Sequence, residues 1–181
     1  MPLDLSKELS VPSDFEIAQI RQLVQRDDAQ AVRDLYDSAA DFVAMETGLV
    51  PNDETVAEFF ADCPPGADVA KSQKLGLFQP DGLLVAISDL AFGYPEADDA
   101  YIGLLLIAAN SRGMGLGRIF VEHMTSIART RQARRLLIAV LDENTRGRAF
   151  WQREGFRLLA SIPDFKLGEK THLVHRMERQ L

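Results

Sequence analysis

The sequence predicts an α/β fold with a mixed, mostly antiparallel central sheet flanked by helices. Two observations carry this. Short β-type runs alternate with amphipathic helical stretches along the chain. Two further runs, Tyr101–Ile107 and Leu136–Leu141, are apolar throughout, as expected of strands buried on both faces. At 181 residues, with 46% hydrophobic and 26% charged residues, the chain is an ordinary globular mix of about one domain's length. A disordered acidic chain, a collagen-like fibre and a coiled-coil rod are thereby excluded.

The elements follow in order. Residues 1–14 read as an N-terminal arm, and 15–181 as a single domain. Phe15 to Ile20 alternates and reads as a strand. Asp27-Asp28 can cap a helix in which Val32, Leu35, Tyr36, Ala39 and Val43 recur at helical spacing, until Gly48 and Pro51 break it. Asn52-Asp53-Glu54 opens a second helix, closed by Pro64-Pro65-Gly66. Lys74–Phe78 and Leu83–Leu90 form a hairpin about Gln79-Pro80-Asp81-Gly82. After Tyr101–Ile107, Leu116, Ile119, Phe120, Met124, Ile127 and Ala128 mark an amphipathic helix. Leu136–Leu141 is the next strand, and Asn144 to Glu154 a helix ended by Gly155. Phe156–Ser161 and Thr171–Met177 read as the last two strands.

Charge is divided unevenly. Residues 1–110 hold 20 acids and 6 bases, a net of −14; residues 111–181 hold 7 acids and 14 bases, a net of +7. The basic half suits a phosphorylated ligand and the acidic half a cation, although solvated surface would produce the same counts. The acidic total argues against a nucleic-acid partner. No apolar run is long enough to span a bilayer, and the N-terminus has no signal-peptide pattern; the expectation is a cytoplasmic protein with no membrane partner. The lone Cys63 excludes an intrachain disulfide and reads as a small hydrophobe. His172 and His175 fall on opposite faces of a strand, so no metal site is expected.

The chemistry-bearing segment is Asn110-Ser111-Arg112-Gly113-Met114-Gly115-Leu116-Gly117-Arg118, between a buried strand and a helix. Glycines at alternate positions let backbone amides approach a ligand without Cβ obstruction. The helix that follows contributes unpaired amides and its positive dipole end. Together these suit a phosphate or pyrophosphate; a structural tight turn is the plainer alternative. A P-loop is excluded because Gly117 is followed by Arg118-Ile119. A dinucleotide fingerprint is excluded because its third small residue falls on Arg118 or Phe120.

The Arg-x-x-Gly-x-Gly spacing after this strand resembles the acyl-CoA pyrophosphate loop of the GNAT superfamily of N-acetyltransferases. Asn144, Phe150, Trp151, Gly155 and Phe156 match a second landmark of that family, an Asn, an aromatic-containing helix and a terminal Gly-Phe. The resemblance is strong over residues 100–157, and the element order extends it to about 15–179. It implies the GNAT fold and, as substrates, acetyl-CoA and an amine acceptor, with no metal; a homodimer is compatible with it. It implies that pantetheine lies against the strand ending at Ile107, along Leu105, Ile107 and Ala109, where that strand splays from its neighbour. The amides of Arg112, Gly113, Met114, Gly115, Leu116, Gly117 and Arg118 would cradle the pyrophosphate. Asn144 would reach the cofactor from the next helix, and Arg118, Arg146 and Arg148 are placed to meet a 3′-phosphate.

Two family positions depart from the pattern. The usual general-acid tyrosine is replaced by Trp151, whose indole N–H is no proton source at neutral pH; it either packs the core or contacts pantetheine. The usual glutamate base on the cofactor strand falls on Gly103. Asp89, on the preceding strand, is the nearest carboxylate and the candidate catalytic base, with Asp98, Asp99 and Tyr101 as alternatives acting through water. The reading is an N-acetyltransferase acting on a primary amine of a small molecule or peptide. The rivals are a non-catalytic acyl-CoA-binding module and a phosphate-binding protein without CoA.

Overall fold

The computed structural model describes residues 19–181. In chain order the elements are β1 (Gln19–Gln22), α1 (Gln25–Ser38), α2 (Ala40–Thr47), α3 (Asp53–Ala61), β2 (Gln73–Phe78), β3 (Leu84–Phe92) and β4 (Asp99–Ile107). Then follow α4 (Leu116–Thr130), β5 (Arg135–Leu141), α5 (Thr145–Arg153), β6 (Arg157–Leu167) and β7 (Lys170–Gln180). One seven-stranded sheet runs β1-β2-β3-β4-β5-β7-β6. Its pairs are antiparallel except β4–β5, which is parallel. This is the expected mixed, mostly antiparallel sheet. The arm over 1–14 and the start of the first strand at Phe15 lie outside the described residues.

Three local differences have identifiable causes. The helix expected from Asp27 to Val43 is two helices that meet at Ala39. There Ser38 Oγ donates to the Leu35 carbonyl (2.9 Å), competing with the helical ladder, and the Ala39 amide is shared between Leu35 and Tyr36. Its start is also earlier, at Gln25. Asp28 acts as cap from inside the first turn, accepting the Val24 amide at 2.8 Å and the Arg21 fork at 2.6 and 2.9 Å. The last two strands are each longer than expected. The first was expected to end at Ser161, yet edge strand β6 runs on through Pro163 and Asp164, at a register shift between Ile162 and Phe165 where a missing N–H is tolerated.

The sheet is covered on both faces. On one, Leu116, Phe120 and Met124 of α4 pack with Leu90, Ile102, Ile138 and Met177. On the other, Val32, Leu35 and Tyr36 of α1 and Val56 and Phe59 of α3 pack on Ile87 and Leu106.

The feature that positions a site is the β4–β5 pair. It is bonded only from Asp99↔Arg135 to Ile102↔Ile138. Beyond that, β4 runs on to Ile107 against β3, and β5 runs on to Leu141 against β7. The two central strands therefore form a V. Its closed end is tied by charge: Arg135 holds fully buried Asp99 through two bonds (2.8 and 2.9 Å) and reaches Glu178 of β7 at 2.6 Å.

Burial lifts the Asp99 carboxyl, but the Arg135 fork, the Glu96 amide and Arg134 outweigh it and hold the group below the usual carboxylate range. Such a carboxylate adds stability above its unfolded value of about 3.9 and loses it as pH falls through its lower folded value. Asp99→Asn strands Arg135 against a neutral partner. It should lower stability by about 3–5 kcal/mol in denaturant titrations at pH 7, with the deficit shrinking in acid.

Candidate functional site

Past Ile107, the Ala108 amide bonds to Val85 of β3 at 2.9 Å. In an antiparallel ladder residues alternate between bonded and non-bonded pairs. Ile107 (opposite Ala86) and Leu105 (opposite Ser88) therefore turn their amides and carbonyls away from β3, into the V. Ala109 lies beyond the strand in a 3-10 turn, Ala109–Ser111, and its carbonyl accepts the Arg112 amide at 3.4 Å. The Arg112 side chain is a brace. Its Nε donates to the Ile107 carbonyl at 3.1 Å, and its two terminal nitrogens grip Asp41 of α2 at 2.5 and 2.8 Å.

Gly113 and Gly115 both adopt φ +80°, a left-handed conformation that disfavours other residues. Gly115 is the N-cap of α4 and brings no capping side chain, and the first helical bond is Ile119 to Gly115. The amides of Leu116, Gly117 and Arg118 thus have no helical acceptor. Gly117 is required for another reason: a Cβ there would stand 3.0 Å from the Phe150 ring of α5. Met114 turns its side chain onto the core. Around this loop lies a groove lined by Gly113, Gly115, Arg118, Arg146, Arg153 and Arg179, drawn from the basic half of the chain. Arg118 pairs with Glu122 at 3.0 Å, and Arg148 is held by Asp142 at 2.6 Å. Of the three arginines singled out from sequence, Arg146 is the one without an ion pair among the described residues.

The V itself holds two cavities. One, of about 320 Å³, lies between α2, β4 and α5 and is lined by Leu105, Ile107, Asn144, Phe150 and Trp151. The other, of about 500 Å³, opens on the α1–α3 face and is lined by Glu46, Tyr94, Tyr101, Gly103 and Arg176. Both are bordered by Phe42, Leu105, Asn144 and Trp151, so they meet at the parting of the strands. Asn144 caps α5 by accepting the Gly147 amide at 2.9 Å. Trp151 is buried, stacked edge-to-face on Phe150 and Phe156. It packs the core and borders both cavities at once, so the two roles considered for it are not alternatives.

Asp89 lies on β3 beside Gly103, which lines the second cavity. A register shift after Asp89 makes Gly103 the extra residue of a bulge. The carboxylate fills the room this leaves, with Oδ2 2.7 Å from where a Gly103 Cβ would stand. Lys74 Nζ is 2.9 Å from Oδ1 but is aligned on the Asp62 carbonyl (2.7 Å), so its hold on Asp89 is mainly Coulombic. Burial raises the Asp89 pKa, Lys74 opposes the rise and Asp62 adds to it; the net is above the usual carboxylate range.

The alternatives separate by position. Asp99 is committed to Arg135, and Asp98 pairs with Arg134 at the same closed end of the V. Tyr101 does line the second cavity, its phenol pushed up by burial to about 12. Two cavity residues were missed from sequence. Glu46 stands three positions after buried Val43, on the inward face of α2, and burial raises its pKa against the pull of His172. Arg176 sits two positions after buried Val174 in β7. Both were legible as inward positions but carried no motif. His172 and His175 are tied up: His172 between the Glu46 carbonyl and Glu143, His175 between Ser161 and Asp142. Among the described residues no group of three metal-ligating side chains assembles, and no helix is long and apolar enough to cross a membrane.

Residues 71–156 match the model of the acetyltransferase (GNAT) family. No protein with a curated description matches the chain by sequence. Among solved structures, the chain is similar to an acetyltransferase from Thermus thermophilus, at 25% identity and TM-score 0.71, over 90% of this chain and 96% of that one. A GCN5-related N-acetyltransferase from Kribbella flavida shares the fold at 23% identity and TM-score 0.67, covering 90% and 97%. So does a ribosomal-protein-alanine N-acetyltransferase from Brucella melitensis, at 17% identity and TM-score 0.70, covering 90% and 99%. The matched segment runs from just before β2 through α5, the stretch that builds the V, its glycine loop and its bordering tryptophan. Over residues 71–156 the chain is thus similar to the acetyltransferase (GNAT) family, and the described chain shares its fold with solved acetyltransferases.

Proposed function

We propose that the protein transfers an acetyl group from acetyl-CoA to a primary amine of a small molecule or peptide, by direct attack. The observation that carries this reading is the V between β4 and β5. It leaves the backbone groups of Leu105 and the amide of Ile107 without a strand partner beside an uncapped helix start, while the Ile107 carbonyl is taken by Arg112. In this reading the pyrophosphate sits on the amides from Gly113 to Arg118, with Arg146 beside it. Pantetheine runs along Leu105 and Ile107, bonding as a missing strand would. The thioester then lies where the two cavities meet, below Trp151 and Asn144.

The acceptor enters through the cavity on the α1–α3 face as a protonated amine. Asp89, reaching the cavity over side-chain-free Gly103, takes its proton through a water. The neutral nitrogen attacks the thioester carbon. A backbone N–H near Ile107 holds the developing oxyanion. The C–S bond breaks as the amide forms, and the proton that the nitrogen then loses passes through water to the departing thiolate, since Trp151 can only donate a hydrogen bond. The protein contributes orientation and proton transfer rather than a covalent intermediate. A non-catalytic CoA-binding module is favoured by Trp151 alone; release of free thiol with an amine excludes it.

Three outcomes test the reading. Gly115→Val forces a β-branched residue into φ +80°, at a cost of roughly 1–2 kcal/mol, and crowds the loop amides. Calorimetry should show CoA affinity lowered at least about tenfold in a protein that still melts cooperatively. Asp89→Asn should lower kcat by about 10²–10⁴-fold. In the wild type, activity rises with pH as Asp89 ionises, with a midpoint displaced above ordinary carboxylates; a rate profile that keeps this rise in Asp89→Asn removes Asp89 as the base. Trp151→Tyr supplies an O–H where the indole stands and should raise kcat while leaving the KM for acetyl-CoA within about twofold.

A further inference from the structure

Arg176 is the one cationic side chain among the described residues lining the second cavity, and the proposed reaction leaves it unused. It lies on β7 opposite Ala139 of β5. Extending the β4–β5 register past Ile102↔Ile138 puts Gly103 level with Ala139, and so with Arg176. Two strand spacings separate them, about 9–10 Å before the parting widens the gap. Arg176 Nη2 donates to the Tyr94 hydroxyl at 3.2 Å, and the guanidinium carbon is 5.9 Å from the Tyr94 ring centre. Its Nε is buried and has no hydrogen-bond partner among the described residues. Nor does any described carboxylate come within ion-pair distance, whereas Arg21, Arg33, Arg112, Arg135 and Arg148 each have one.

A guanidinium offers five N–H donors in a planar fork suited to a carboxylate. Burying one without an anion is costly, and removing a partner from such a group typically destabilises the fold. Glu46 shares the cavity but does not meet Arg176; the one charged group that acts appreciably on Glu46 is His172. The cavity thus has acidic lining groups, Glu46 and Asp62, with Asp89 behind Gly103, and a separate unmatched cation. Such a lining complements a ligand carrying both charges.

Building on the acyl-transfer reading, we propose that the acceptor is an amino-acid-like amine whose carboxylate is held bidentately by Arg176 beside Tyr94, its amine directed to the V above Gly103. This narrows the acceptor class. A polyamine lacks the anion, and the N-terminal amine of a peptide has a neutral carbonyl where the carboxylate should be. The net of −14 over residues 1–110 favours cations in general. The local lining sets a different requirement, because charge at contact distance in a buried cavity outweighs screened surface charge.

The experiment is thiol release from acetyl-CoA with free α-amino acids, the matching α-amino acid carboxamides, and linear diamines. In the wild type, amino acids should exceed their carboxamides in kcat/KM by about ten- to a hundredfold. Arg176→Gln should bring that ratio to about one, chiefly through acceptor KM, and Arg176→Lys should recover part of it. CoA affinity of each variant, measured by calorimetry, reports that the fold is intact. Preference for diamines or carboxamides, with a ratio that Arg176→Gln leaves unchanged, overturns the acceptor assignment and leaves acyl transfer standing. Thiol release with no amine, in a protein that binds CoA, overturns acyl transfer instead. Binding of the same amino acids to the CoA-loaded protein, followed by thermal shift, then decides the Arg176 site alone: loss in Arg176→Gln supports it, and no binding by wild type ends it.

Discussion

The parting of β4 from β5 is the constraint on which the rest of the structure depends. A central strand with unbonded backbone groups is unfavourable unless something satisfies them. Here one edge of β4 is fully laddered to β3, which fixes the strand, while the other is bonded only as far as Ile102. The parting is stable because the closed end is held more firmly than a ladder alone would hold it. Arg135 joins Asp99 of β4 to Glu178 of β7 across β5. The open end is propped from both faces: Trp151 and Phe150 come in from α5, and Arg112 links the end of β4 to Asp41 of α2. Arg112 was expected to offer its amide to a phosphate. Its side chain instead fixes the distance between the loop and the helices over the second cavity.

Most of the architecture was legible because it rests on local patterns. The unbroken apolar run of β4, the 3.6-residue period of α4 and the Asn52 cap of α3 each arise within a dozen residues, and each is found where it was read. The glycine loop was legible for the same reason: Gly113 and Gly115 both take the left-handed conformation that makes glycine informative. What was not legible depends on pairs distant in sequence. The residues of β4 would suit a fully bonded central strand equally well; only the register with β5 shows where bonding stops. Asp99 stood among the alternative bases because Arg135, 36 residues on, is invisible to a local reading. Glu46 and Arg176 carried no motif, and they become cavity residues only when α2 and β7 face each other across the V.

The placement of the acid follows from the bulge. A register shift gives β4 one extra residue, and that residue is Gly103. With a side chain at 103, the carboxylate of Asp89 could not stay where it is, because the two would lie within 2.7 Å. A carboxylate projecting from β4 and a carboxylate reaching over from β3 therefore exclude one another. The missing glutamate and the present aspartate are one structural choice, not a loss and a coincidence. Its electrostatic consequence differs from the usual arrangement. Asp89 is rooted on β3, and burial raises its carboxyl above the usual range. Lys74, directly opposite it in the β2–β3 register, stands 2.9 Å away while directing its best-aligned hydrogen bond to Asp62. Lys74 thus opposes the effect of burial without cancelling it, and a carboxyl raised in this direction is the kind that the role proposed for Asp89 calls for.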